Sequence, residues 1–228
     1  MHGIALIIVL SIIYTVVMTQ VSIASTRRTL TERSRPLRDG RLQQNFAKMA
    51  DALDLRAIDV NLYEVEQVNG LAAPDGRIFI TRGFYEKFRS GVFTADELAS
   101  VVAHELGHVA LGHSRRRTIS FGVAQAMQTG LGLVLSRFLP FISPLIVGGV
   151  ASMVTARLSR DDEYEADEYA TALLIKSGIG TEGQKSLFHK LDRMSAARGD
   201  GPPAWLRSHP KSEERIAAIE ANEARWLG

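Results

Sequence analysis

Two histidines four residues apart, His104 and His108, enclose a glutamate and a glycine in the run His104-Glu105-Leu106-Gly107-His108. For the pair to act together, the segment must be an α-helix. There, residues i and i+4 differ by about 40° in azimuth, so both imidazoles leave one face and converge on one ion. Glu105 lies about 100° round the helix, beside that face, which suits a carboxylate that holds a water without itself becoming a ligand. Six histidines and 14 glutamates scattered at random over 228 residues would generate about 0.01 such motifs. Thr94 and Glu97 form a capping-box pair that predicts the helix over about 95–116. Gly107 in its interior costs about 1 kcal/mol relative to Ala, and is expected to let another backbone approach beneath the ion.

A zinc site that keeps one position open needs a third protein ligand. The chain has no cysteine, which excludes thiolate ligands, iron–sulfur clusters, disulfides and thiol catalysis and leaves the redox compartment open. His113, on a continuous helix, would lie about 180° from His104, so it is expected to be a structural histidine at the helix end or one standing behind the ligands. A better candidate lies in the acidic run 161–168. Taking Glu163 as zero, Asp167 falls at about 40°, Ala170 at about 340° and Leu174 at about 20°, whereas Asp161, Glu165 and Glu168 lie on the far side. Glu163 and Asp167 thus head the apolar stripe, and buried carboxylates need a metal or a partner. Glu163 is assigned as the third ligand. Asp167 is assigned as acceptor of the free ring N–H of a liganding histidine.

From Gly3 to Ala24 the chain carries no charge. About 20 apolar residues at ~1.5 Å each span a ~30 Å hydrocarbon core, so residues 1–25 are expected to be a membrane anchor. Ser22-Ile23-Ala24 offers a signal-peptide cleavage site as the competing reading. No Lys or Arg precedes the run and it is long for a signal sequence, which favours an uncleaved helix. Residues 26–44 read as a basic juxtamembrane linker, six arginines opposing Glu32 and Asp39. The positive-inside rule then places the remainder on the cytoplasmic side of a bacterial inner membrane, with the periplasmic side as the alternative. Net charge is only +2, from 27 basic and 25 acidic residues, which argues against a nucleic-acid partner.

Residues 45–228 are expected to form one domain of α+β class, mainly α. A helix is predicted over 41–54, strands within Ile58–Val68 and at 77–81, a helix capped by Asp161 and ending before Gly178, another opened by Thr181 with Gln184, and a last one starting near Pro210. Residues 118–156 read as an apolar helical hairpin interrupted by Pro140 and Pro144. It is either membrane-associated or a lid or packing element.

These residues resemble the gluzincin metallopeptidases that include the HtpX-type heat-shock membrane proteases and the CAAX prenyl proteases. The resemblance rests on His104-Glu-Leu-Gly-His108, on Glu163-Tyr-Glu-Ala-Asp167, on Ser208-His209-Pro210 with Glu214-Arg215, and on Asn69–Gly76 followed by Ile78–Thr81. It implies a zincin-like, minimal gluzincin domain holding one Zn²⁺ per chain, with Glu163 as a zinc ligand. It also implies that His209 faces the site and steadies the tetrahedral intermediate. The family's Asn-Ala-x-Ala substrate edge reads Asn69-Gly70-Leu71-Ala72 here, so Gly70 departs from the pattern. HtpX-type enzymes have two spans between the metal helix and the Glu helix, which favours a membrane hairpin at 118–156.

The activity so implied is zinc-dependent endoproteolysis at a membrane, in quality control of membrane or envelope proteins. Glu105 would act as general base, and an extended polypeptide substrate would add to the edge near Asn69–Ala73. The partners are a polypeptide and the lipid bilayer, with oligomeric state open. A non-proteolytic zinc-binding chaperone or scaffold and a prenyl-protein processing protease are the alternatives.

Overall fold

The computed structural model describes residues 2–73, 75–117, 143–197, 203–209 and 212–227. It clusters into two compact units, Met1–Arg28 with Gly112–Asp162, and Thr29–Leu111 with Glu163–Gly228. The first unit holds most of α1 (His2–Glu32), a short helical stretch at 113–117 and the first part of α5 (Ser143–Lys176). In it, Asp162 is fully buried and accepts from Arg116 Nη1 at 2.9 Å and Arg117 Nε at 3.0 Å.

The second unit begins with β1 (Ser34–Pro36), α2 (Gly40–Ala52), β2 (Val60–Tyr63), β3 (Gly70–Ala72), β4 (Ile78–Thr81), α3 (Arg82–Arg89) and α4 (Ala95–Ala110). The rest of α5 follows, then α6 (Glu182–Ala197), α7 (Ala204–Ser208) and α8 (Ser212–Leu227). The four strands lie in the order β1-β2-β4-β3, with β2 and β4 parallel and both outer pairs antiparallel. The apolar run of β4 is buried on both faces. Ile78 and Ile80 join the main core with Leu62, Val101 and Val102, while Phe79 packs with Leu30 and Ala73 on the other side.

Helix α4 packs against β3, β4, α2 and α6, and Leu98 to Ala103 are wholly buried. Its start is pinned chemically. Thr94 N donates to Glu97 Oε2 at 2.8 Å and Glu97 N to Thr94 Oγ1 at 3.2 Å, completing the capping box expected from the sequence. The buried Glu97 carboxylate also accepts from Ser186 Oγ at 2.5 Å and pairs with Lys190 Nζ at 2.8 Å, fastening α4 to α6.

Two boundaries differ from expectation. Helix α4 stops at Ala110, short of 116, because Gly112 takes φ +68°, which breaks the right-handed helical path. Asp161 caps nothing: α5 begins at Ser143 and passes through it, since nothing after Pro144 breaks the helical register. Thr181 and Gln184 stand at the start of α6, but the Thr181 hydroxyl donates to Glu223 and the Gln184 amide turns to Thr171 and the Asp167 carbonyl. Residues 26–44 carry the end of α1, β1 and the start of α2. Of the expected hairpin, 118–142 lies outside the described residues and 143–156 belongs to α5, as Pro210 likewise lies outside them. Among the described residues no helix is long and apolar enough to cross a membrane.

Gly107 meets its expectation. A Cβ there would stand 3.0 Å from both Cα and O of Ala166 and 3.2 Å from Tyr169 Cβ, so the backbone of α5 lies directly on α4. Gly107→Val should therefore destabilise the protein by about 1–3 kcal/mol through overpacking, read as a lower urea midpoint; a parental midpoint would show that the two helices separate freely.

Candidate metal centre

Helix α4 carries His104, Glu105 and His108, α5 carries Glu163 and Asp167, the residue after α7 is His209, and α8 carries Arg215. All seven are buried within the second unit. The close contact at Gly107 is what brings α5 near enough for its carboxylates to meet the α4 imidazoles.

The Nε2 atoms of His104 and His108 are 3.0 Å apart. Glu163 Oε2 is 3.4 Å from His104 Nε2, and Glu163 Oε1 is 3.5 Å from His108 Nε2. Three donors at about 2.0–2.1 Å from one tetrahedral zinc would be about 3.3 Å from each other. Two nitrogens and a carboxylate with this spacing suit zinc and have no soft ligand to favour copper(I).

His209 joins the same cluster. Its Nδ1 is 2.5 Å from Glu163 Oε2 and 3.3 Å from His104 Nε2, and its Nε2 is 3.5 Å from Glu105 Oε1. Donor atoms of His104, His108, Glu163 and His209 all lie within 4.8 Å of one another, so His209 could hold the same ion. Glu105 Oε1 is buried and has no hydrogen-bond partner among the described residues. An ionised or neutral carboxyl oxygen sealed from solvent in this way is costly unless a ligand or water meets it.

Behind the donors stands a relay. His104 Nδ1 is 2.9 Å from Asp167 Oδ1, a contact that fixes the ring's orientation with Nε2 facing the cluster. Asp167 is gripped in turn by Arg215, through Nε to Oδ2 at 2.5 Å and Nη2 to Oδ1 at 2.7 Å. Arg215 also donates from Nη1 to the carbonyl of His209 at 3.1 Å and lies over the rings of Phe188 and Trp205. Burial would push Asp167 up, but the Arg215 charge and its hydrogen bonds overcome this and hold the carboxyl down at about 2. Burial would likewise lower His104, yet the hydrogen bonds of Asp167 and Glu163 raise the imidazole to about 9. Burial disfavours the Glu163 anion too, but His104 and His209 hold its carboxyl far below the ordinary range. The pocket thus favours positive charge where the imidazoles and Glu163 meet.

The structure brings His104, His108, Glu163, Asp167, His209 and Glu105 together. Asn69 donates its N–H to Thr81 Oγ1 at 2.9 Å and keeps Oδ1 buried without a partner among the described residues, while Gly70, Leu71 and Ala72 form the terminal strand β3. His113 belongs to the other unit, its Nε2 3.9 Å from Asp162 Oδ1. Arg215 was matched in the sequence without a role. Its signal is a charge one turn before the buried Ile219 on the inner stripe of α8, the same kind of signal that marks Glu163 and Asp167.

Residues 36–223 match the family described as Peptidase family M48. Metalloprotease YcaL of Escherichia coli (strain K12) is 33% identical over 187 residues, covering 77% of this chain and 68% of that protein. Metalloprotease LoiP of the same strain is 29% identical over 171 residues, covering 71% and 61%, so the chain spans less than two thirds of that relative. Protease HtpX of Pseudomonas putida (strain W619) is 25% identical over 228 residues, covering 86% and 76%.

Removing Arg215 leaves a buried Asp167 without its main counter-charge. Arg215→Ala should cost about 3–5 kcal/mol in urea unfolding. The depressed carboxyl adds stability that is present above its ordinary value of 3.8 and lost as pH falls towards about 2. The variant's acid unfolding midpoint should therefore move to higher pH; an unchanged midpoint would mean that Arg215 does not hold Asp167 ionised.

Proposed function

The chain belongs to peptidase family M48 and is a zinc metalloprotease; from that premise we propose that His104, His108 and Glu163 hold the zinc ion and that Glu105 is the general base for peptide-bond hydrolysis. The observation that carries this is the meeting of two imidazole nitrogens and the two oxygens of the Glu163 carboxylate at 3.0–3.5 Å, beside a buried Glu105 oxygen that has no hydrogen-bond partner among the described residues.

Zinc, when bound, supplies a Lewis acid for the scissile carbonyl and lowers the pKa of the attacking water. Glu105 receives the water's proton on Oε1 and delivers it to the leaving amine. Asp167 keeps the His104 ring oriented with its lone pair inward, and Arg215 keeps Asp167 ionised and in place. His209, whose backbone carbonyl is tied to Arg215, presents its imidazole beside Glu105 and steadies the oxyanion of the tetrahedral intermediate. The polypeptide lies extended along β3, using the main chain of Gly70–Ala72, with Asn69 Oδ1 available to accept from a substrate N–H.

The enzyme acts at a membrane in this reading, and α1 is its anchor. Support comes from large apolar side chains exposed all round that helix, Leu10, Val17 and Val21 on one side and Ile12 and Val16 on the other. The arginine bias of residues 27–41 supports a cytoplasmic placement of the catalytic portion at a bacterial inner membrane. Substrates are then damaged membrane or envelope polypeptides within reach of that surface.

Glu105→Gln should retain stoichiometric zinc by metal analysis and lose casein cleavage by about 10²–10⁴-fold; parental cleavage by this variant would remove Glu105 as the base. Glu163→Ala should lower zinc content, and full zinc in that variant would move the third ligand elsewhere. A C-terminal tag should resist external protease in spheroplasts, whereas digestion from outside would reverse the orientation.

A further inference from the structure

Strand β3 ends the sheet, and only part of its backbone is used. Thr81 N donates to Asn69 O at 3.0 Å and Ala73 N to Arg77 O at 2.8 Å, the positions that flank the paired residues Gly70–Ile80, Leu71–Phe79 and Ala72–Ile78. Bonded and non-bonded pairs alternate in an antiparallel ladder, so Gly70 and Ala72 turn their N–H and C=O groups away from β4, to the open side. Leu71 packs with Phe79 and Ala73 on one face of the sheet, and position 70 faces α4 on the other.

At that position there is no room for a side chain. A Cβ on Gly70 would stand 2.5 Å from Val101 Cγ1, 3.6 Å from Ile80 Cδ1 and 3.7 Å from Glu105 Oε1. Carbon atoms in good contact are about 3.5–4.0 Å apart, so a methyl group needs roughly 1 Å more than the gap provides. Val101 cannot swing aside easily. It is fully buried, and a β-branched residue in a helix has one strongly preferred rotamer. Val101 and Glu105 stand one turn apart on the same stripe of α4, so one gap separates the strand from both.

We propose that Gly70 and Val101 are a matched pair that sets how closely a bound peptide passes Glu105, which makes Gly70 a positioning residue of the peptidase reaction. The inference rests on Glu105 as the base and β3 as the docking edge. A side chain at position 70 pushes the strand outwards while leaving its main-chain hydrogen bonds to the peptide intact. Binding is then little altered, but the scissile bond is displaced from the carboxylate. A 1 Å misplacement of this kind can cost about 100-fold in rate.

The test uses the full chain in detergent micelles and a quenched fluorogenic peptide derived from casein, with zinc content and melting temperature measured alongside. Gly70→Ala is expected to lower kcat by about 10–100-fold, with KM within about twofold and zinc retained. Adding Val101→Ala to it should restore kcat at least fivefold by vacating the contested space. Parental kcat in Gly70→Ala, or a loss that Val101→Ala does not relieve, overturns the pairing. Should Gly70→Ala fail to accumulate as zinc-loaded protein, Val101→Ile fills the same gap from the helix side; it should lower kcat at constant KM, and parental kcat there overturns the pairing equally. Glu105→Gln separates the two levels: if it cleaves like the parent, the underlying reading fails, whereas an inactive Glu105→Gln beside a fully active Gly70→Ala removes only the pairing. A parent that cleaves nothing overturns both.

Discussion

Two imidazole nitrogens and a carboxylate gathered in a buried space repel one another unless a positive charge lies among them, and this constraint organises the second unit. The protein meets it in layers. The donors His104, His108 and Glu163 face inward on a common point. Asp167 supplies negative charge behind His104, and Arg215, itself buried, supplies positive charge behind Asp167. Each layer is hydrogen-bonded to the next, which is what makes so many buried ionisable groups tolerable. Phe188 and Trp205 bracket the guanidinium with ring faces, so its remaining surface is not left against plain hydrocarbon.

The surroundings hold these layers at fixed spacing by two kinds of contact. One is chemical: the Glu97 carboxylate caps α4 and at the same time binds Ser186 and Lys190 on α6. The other is steric: Gly107 admits the backbone of α5, and Gly70 admits β3 towards Val101. Both glycines sit where two backbones approach a helix that also carries reactive groups. Their small size therefore fixes distances at the site and not merely local conformation.

Much of this was legible in the chain because periodicity reports burial directly. The capping box at Thr94 and Glu97, the helix that begins there, and the inward turn of Glu163 and Asp167 all follow from helical spacing. Arg215 obeyed the same rule, yet its partners come from α5 and from the residue after α7, and no local pattern names a long-range partner. Helix ends were less legible. Gly112 stops α4 by turning to φ +68°, and Asp161 looked like a cap although the helix runs through it. The short helix α3 and strand β1 were not foreseen, being short elements held by tertiary packing: Phe84 and Phe88 in the main core, Leu37 beside Val60. Gly70 could be read as a departure from a family pattern, but its reason, the methyl of Val101, lies in a helix some thirty residues on.

The path of the backbone between the two units has its own consequence. It leaves the peptidase unit after Leu111, three residues beyond His108, and returns at Glu163. The intervening stretch is thus inserted in the sequence between two of the residues that converge at the centre. Few residues therefore separate the two ends of that insertion from the side chains that converge in the second unit: three after His108, and none before Glu163.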